Sequence, residues 1–246
     1  MSNRRNINTA HGIRTPITMV AKAIDGESFR IECDYYYNGE KCKTKEMTSK
    51  QAKTVAAYGL VKKDLKFVEK VINHAIKISS VIFKQEDLSY LEIENNVAVI
   101  RKEIDVDSDL YKSLYISAVV TYGKCFVQAK GRKVKLEIAD IFFDDETMKK
   151  LHLDIMESRH QYIAHAGVTK FEHSKPVLVF TPYDEPYFNA ESGHVSGFGA
   201  EELNQFLSLV KFVHAKVNDI FEKKSDKLYE TEIEGIPIEE LMEGAK

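Results

Sequence analysis

The chain has 246 residues, 43% of them hydrophobic, which suffices for one sizeable core or one core with a small appendage. A net charge of −3 excludes a globally basic nucleic-acid binder, so any polyanion site must come from local clustering. The three cysteines, Cys33, Cys42 and Cys125, are odd in number and lack metal-knuckle spacing; there is no apolar leader and no apolar run of about 18 residues, so the expectation is a reduced, soluble, cytoplasmic protein without membrane association.

Residues 1–15 are polar. ITMVAKAI, FRIECDYYY and EKCKTKEM then read as three strands of a small meander over 16–46. They are separated by Asp25-Gly26 and Asn38-Gly39, pairs that tolerate the positive φ of tight hairpin turns. Helical signals begin at Thr48. TSKQ fits a capping box made by Thr48 and Gln51, and Asp64 fits the cap of a longer helix with Leu65, Val68, Ile72, Ala75 and Ile76 on one face. Residues 94–104 read as a further helix. The next helix carries a stripe of Leu110, Leu114, Ala118, Tyr122, Cys125 and Ala129, and Gly131 ends it. After a basic connector, residues 144–167 form a helix with acidic residues at its start, where the dipole favours them.

Pro176 and Pro182 bracket KPVLVFTPY, an edge-strand candidate. SGHVSGFGAEE is glycine-rich and opens a helix, but it lacks the Walker lysine and does not match G-x-G-x-x-G, so it reads as a loop. AEELNQFLSLVKFVHAKVNDIFEKK is the final long helix. The expected fold class is mainly α: an antiparallel helical bundle with a small N-terminal β-meander and a short extended or β interruption before the last long helix. The corresponding division is an arm and meander over 1–47, a bundle over 48–228 and an acidic tail over 229–246.

Chemistry concentrates in ESRHQYIAHAG, residues 157–167. On a wheel of about 100° per residue, Met148, Leu151, Ile155, Tyr162 and Ala166 make an apolar stripe. Arg159 falls near its middle, His152 close by, His165 at its edge and His160 toward the opposite side. A cation in an apolar stripe must snorkel out or be paired. In a groove it suits a phosphate, because guanidinium stays charged and offers a planar fork of donors. An imidazole nearby can move protons near neutral pH. Together they are minimum equipment for cleaving RNA without a metal. Arg159 and His165 are separated by about 9 Å of helical rise, and a two-fold dimer would double the set in one cleft. A plain helix end with cations near its negative dipole is the competing reading. Tyr162 can pack or stack a base. In KGRKVK, residues 130–135, the four cations Lys130, Arg132, Lys133 and Lys135 fit either a solvated connector or a phosphate-contacting edge. A zinc site from His160, His165 and His173 lacks H-E-x-x-H spacing, so no metal and no cofactor is expected.

At these residues the chain resembles the HEPN superfamily (higher eukaryotes and prokaryotes nucleotide-binding). The resemblance lies in Arg159, His160 and His165, an Arg followed after five residues by His, in the segment LHLDIMESRHQYIAHAG, and in the preceding helix YKSLYISAVVTYGKCF. It spans roughly residues 64–225. It implies a homodimeric, metal-independent endoribonuclease acting in phage defence, as in abortive infection, or as a toxin, with an antitoxin or sensor protein as a possible further partner. Arg159 and His165 would be the catalytic pair and His160 a supporting polar group. Since some members are binding or scaffold modules, the resemblance admits, as the alternative, a non-catalytic nucleotide- or RNA-binding protein or dimeric scaffold.

Overall fold

The computed structural model describes residues 17–23, 31–82, 89–94, 97–102, 108–128, 131–160, 172–180, 182, 185–194 and 199–246. The architecture is mainly helical, and the chain divides into two units: residues 1–56 with 220–246, and residues 57–219. Helices α1 (Lys50–Ile82) and α5 (Ala200–Glu232), each of 33 residues, contribute to both.

The first unit holds the meander. Strand β1 (Thr18–Ala23) pairs antiparallel with β2 (Ile31–Tyr37), in register from Thr18 opposite Tyr36 to Ala23 opposite Ile31, and β2 pairs with β3 (Glu40–Lys41). The β2–β3 turn is Asn38-Gly39 with φ of 52° and 85°. Two successive left-handed residues match the right-handed twist of the flanking strands, which is why Asn-Gly marks the turn in the sequence. Asp25-Gly26 lies outside the described residues. Beyond β3, Cys42 N–H donates to the Tyr35 carbonyl at 2.7 Å, and Thr44 exchanges two main-chain hydrogen bonds of 3.0 Å with Lys246.

Helix α1 opens on Ser49, whose Oγ accepts from Ala52 N–H at 3.0 Å. The cap therefore falls one residue after Thr48, and no Thr48–Gln51 box forms. Within the acidic C-terminal stretch, α5 continues to Glu232, and a short helix α6 (Ile238–Leu241) follows a left-handed Gly235.

The second unit is built on a shared spacing. The buried residues Val61, Leu65, Val68, Ile72 and Ala75 of α1 step by four and three. So do Tyr111, Tyr115, Ala118, Tyr122 and Cys125 of α2 (Ser108–Lys124) and the turn after it, and Leu203, Phe206, Val210, Val213 and Val217 of α5. That alternation keeps one seam facing its neighbours over several turns, the geometry of near-aligned helix packing. The short helix α3 (Ile138–Ile141) adds Ile141, and Phe142 after it stacks on Phe212 with centroids 5.8 Å apart. Helix α4 (Glu146–Ser158) runs antiparallel to α2: Tyr115 meets Ser158 at 3.1 Å, and two turns further along α2, Tyr122 meets His152 at 2.9 Å.

Four expectations change here. Asp64 does not start a helix, because α1 is continuous through it; the carboxylate instead pairs with Arg132. Nothing in VKKDLKF breaks a helix, and with its charge met Asp64 needs no capping role. Residues 94–104 are not helical: β4 (Ser89–Glu94) and β5 (Val97–Lys102) pair antiparallel, from Ser89 opposite Lys102 to Glu94 opposite Val97. A short apolar run such as VAVI is ambiguous by periodicity, and its β-branched residues favour the strand. Ala118, Tyr122 and Cys125 are buried as the stripe predicts, but over the first turns of α2 the buried face is turned by one residue, so Leu110 is exposed while Tyr111 and Tyr115 are buried, and the helix ends at Lys124 rather than at Gly131. Tyrosines can take the seam because Tyr115 and Tyr122 find partners for their hydroxyls. Finally, β6 (Glu172–Val179) pairs with β7 (Tyr187–His194), which takes in Ser192, Gly193 and His194 of the stretch read as a loop. Pro176 sits inside β6 opposite Ala190. A two-stranded ladder has an outward edge on each strand, so the missing N–H is tolerated there. Among the described residues no helix is long and apolar enough to cross a membrane.

Candidate functional site

Helix α4 begins with Asp145, whose Oδ1 accepts from Met148 N–H at 2.9 Å, and carries Glu146 in its first turn. Both oppose the positive end of the dipole. From Met148 the helix repeats the spacing of its neighbours: Met148, His152, Ile155 and Arg159 step by four, three and four. Arg159 therefore occupies a seam position, as the wheel implies. His152 goes deeper than that wheel suggests. It is fully buried, with rings of Phe126 and Phe142 at 4.3 and 4.9 Å between centroids. Its Nδ1 shares a hydrogen bond with the Tyr122 hydroxyl, while Nε2 is buried without a partner among the described residues. Burial pushes the imidazole down to about 4, so the ring is neutral at physiological pH and supplies no proton there. Cys125 nearby is likewise inert as a nucleophile, because burial raises its thiol to about 11.

Arg159 closes α4. Its backbone is helical, with φ −58° and ψ −46°, and its N–H donates to the carbonyls of Ile155 and Met156. Arg159 and His160 lie in a wider, π-type turn, a local rewinding that recurs at functional sites. The Arg159 side chain is half-buried and runs across Gly123 of α2. A Cβ built on Gly123 would come within 2.6 Å of Arg159 Nε, and also press on Cδ, so the absence of a side chain at 123 is what makes room for the arginine. Arg159 Nε is buried and has no acceptor among the described residues. A donor kept from water without a partner costs roughly 1–3 kcal/mol. An oxygen from a bound group would remove that cost.

The remaining candidates fall as follows. His160 is exposed. Tyr162, His165 and Lys130 lie outside the described residues. Lys133 is exposed, whereas Arg132 is buried. Arg132 pairs with Asp64 and donates from Nη1 to the Lys124 carbonyl at 3.3 Å, with Lys124 Nζ 3.4 Å from the same carboxylate. Arg132 thus ties the connector to α1 and α2 instead of lying on an open edge. Among the described residues no group of three or more His, Cys, Asp or Glu is arranged to hold a metal ion.

Gly123 is the position that sequence reasoning passed over. A glycine inside an apolar helical pattern costs about 1 kcal/mol relative to alanine, which usually signals close packing; TYGK carried that signal. Comparisons with protein-family models, with curated proteins and with solved structures found no match to this chain.

Proposed function

We propose that the protein is a metal-independent endoribonuclease of HEPN type, active as a homodimer in phage defence or as a toxin. In the proposed reaction the ribose 2′-hydroxyl attacks the adjacent phosphorus and loses its proton to a general base. The phosphorus–O5′ bond breaks, and O5′ is protonated as it leaves. The products are a 2′,3′-cyclic phosphate and a 5′-hydroxyl end. Arg159 would hold the non-bridging oxygens as charge builds on them, with the guanidinium fork matched to phosphate. His165 would carry the proton traffic near neutral pH, and His160 would support the phosphate or the RNA backbone. Tyr162 can stack a base beside the cleft, and Lys130 and Lys133 can add backbone contacts.

The observation that carries this reading is Arg159 itself: a permanent cation on a helix seam, given space by Gly123, with a buried N–H lacking an acceptor among the described residues. The same observation favours a second reading, in which Arg159 grips a nucleotide or braces a dimeric scaffold without chemistry. RNA cleavage in EDTA separates the two. The first predicts cyclic-phosphate ends, abolished by Arg159→Ala and by His165→Ala, with each variant still folded. The second predicts no product from the wild type, and RNA or nucleotide binding that weakens in Arg159→Ala. Full cleavage by either alanine variant would reject the catalytic assignment.

A further inference from the structure

Cys33 and Cys42 are partly exposed free thiols in the first unit, whereas Cys125 is buried in the second. Cys33 lies in β2, and Cys42 follows the last residue of β3. The β2–β3 register sets Tyr37 opposite Glu40 and Tyr36 opposite Lys41. The hydrogen bond from Cys42 N–H to the Tyr35 carbonyl carries it one step further, with Cys42 opposite Tyr35. Residues two apart on a strand share a face, so Cys33 lies on the same side as Tyr35 and Cys42. The two cysteines are therefore diagonal neighbours on one face of the meander, and both line one cavity of about 630 Å³.

That spacing selects what the pair can do. Diagonal neighbours on adjacent strands stand about 7–8 Å apart. A disulfide closes without backbone movement only up to roughly 6.8 Å between Cα atoms. A metal ion between the sulfurs spans further, because it inserts two metal–sulfur bonds of about 2.3 Å where a disulfide has one bond of about 2.0 Å. Cys42 Sγ can turn toward Cys33, since its approach to the Glu40 carbonyl is a weak one of 4.0 Å.

The rest of the lining decides which ion. It carries three lysines and three carboxylates, so its charge balances, and Lys41 and Asp34 are engaged with each other at 2.7 Å. Among the described residues no third His, Cys, Asp or Glu is arranged with the thiols to complete a larger metal site. Zinc takes at least three protein ligands and is poorly served by two. A soft monovalent d10 cation is well served, because thiolate matches its softness and two opposed sulfurs complete a linear shell.

We propose that Cys33 and Cys42 form a two-thiolate site for one Cu(I)-class cation. Binding converts both thiols to thiolates and releases their two protons, leaving a complex of charge −1. This site is independent of Arg159 and of the ribonuclease reading.

The test is anaerobic titration of the reduced full chain with Cu(I) in competition with bicinchoninate, near neutral pH. The wild type takes up one ion per chain and releases two protons per ion into weakly buffered solution. Cys33→Ser and Cys42→Ser each lower the affinity by more than about a hundredfold, the upper end of what loss of even a supporting residue costs a metal site. Cys125→Ala and Arg159→Ala bind as the wild type does, and an equal concentration of zinc does not displace the copper. The proposal is overturned if the wild type takes no Cu(I) from bicinchoninate, if either serine variant binds like the wild type, or if zinc displaces the ion. It is equally overturned if Cys125→Ala loses the uptake, or if one ion is bound per two chains, which would place it between copies.

Discussion

His152 shows how far one residue's setting decides its chemistry. The wheel places it close to the apolar stripe, at the edge of the core, and it lies deeper still, among Tyr122, Phe126 and Phe142 with its imidazole held neutral. Its folded-state value of about 4 lies below the ordinary 6.5. Between those values the unfolded chain binds a proton that the folded chain refuses. The stability associated with a neutral His152 is thus complete above pH 6.5 and is lost as pH falls toward 4, by up to about 3 kcal/mol. Urea unfolding at pH 7 and pH 4.5 should show a larger drop for the wild type than for His152→Asn, which keeps a polar group near Tyr122 without a titrating ring. Equal drops would mean that His152 is open to water in the folded protein. The wheel separated this histidine from His160 but did not give its depth, because periodicity reports which face a residue shares and not how deeply that face is covered.

At the level of elements, the 4–3 spacing of apolar residues made α1 and α5 readable, and tight-turn chemistry located the β2–β3 hairpin at Asn38-Gly39. Failures came where two local readings were nearly equal. VAVI suited a helix as well as β5, and Leu110 competed with Tyr111 for the buried face of α2 until tertiary partners for the tyrosines decided it. Asp64 looked like a helix start because its partner Arg132 is 68 residues away and invisible to a local pattern. The α2–α4 contact is of the same kind: Arg159 was visible from its own helix, but the gap that Gly123 opens for it was not. That contact makes a signed prediction. Gly123→Ala should raise helix propensity by roughly 1 kcal/mol, yet the collision with Arg159 should outweigh this and leave a net loss of about 1–2 kcal/mol. In an Arg159→Ala background the same substitution should stabilise the protein by about 0.5–1 kcal/mol, because only the propensity gain remains. Denaturant midpoints of the four proteins measure the cycle. A stabilising Gly123→Ala in both backgrounds would show that Arg159 does not rest on α2.

For the whole molecule, the mainly helical class, a small sheet before it and a short extended or β interruption before α5 were legible from period and turn signals, while the pairing of that interruption into the β6–β7 hairpin was not. The division into two units was not, because α1 and α5 run unbroken through both and leave no linker to read. The functional reading is an assembly claim as much as a chemical one: the Arg159 and His165 of one copy are to share a cleft with those of another. Activity-resolved gel filtration in EDTA tests that claim most directly, by assaying each fraction for RNA cut to 2′,3′-cyclic phosphate ends. The account predicts that cleavage coincides with a species of twice the 28.1 kDa chain mass and is missing from the same fractions of Arg159→Ala. Cleavage that follows the single-chain species, or a wild-type dimer that leaves RNA intact, would contradict it.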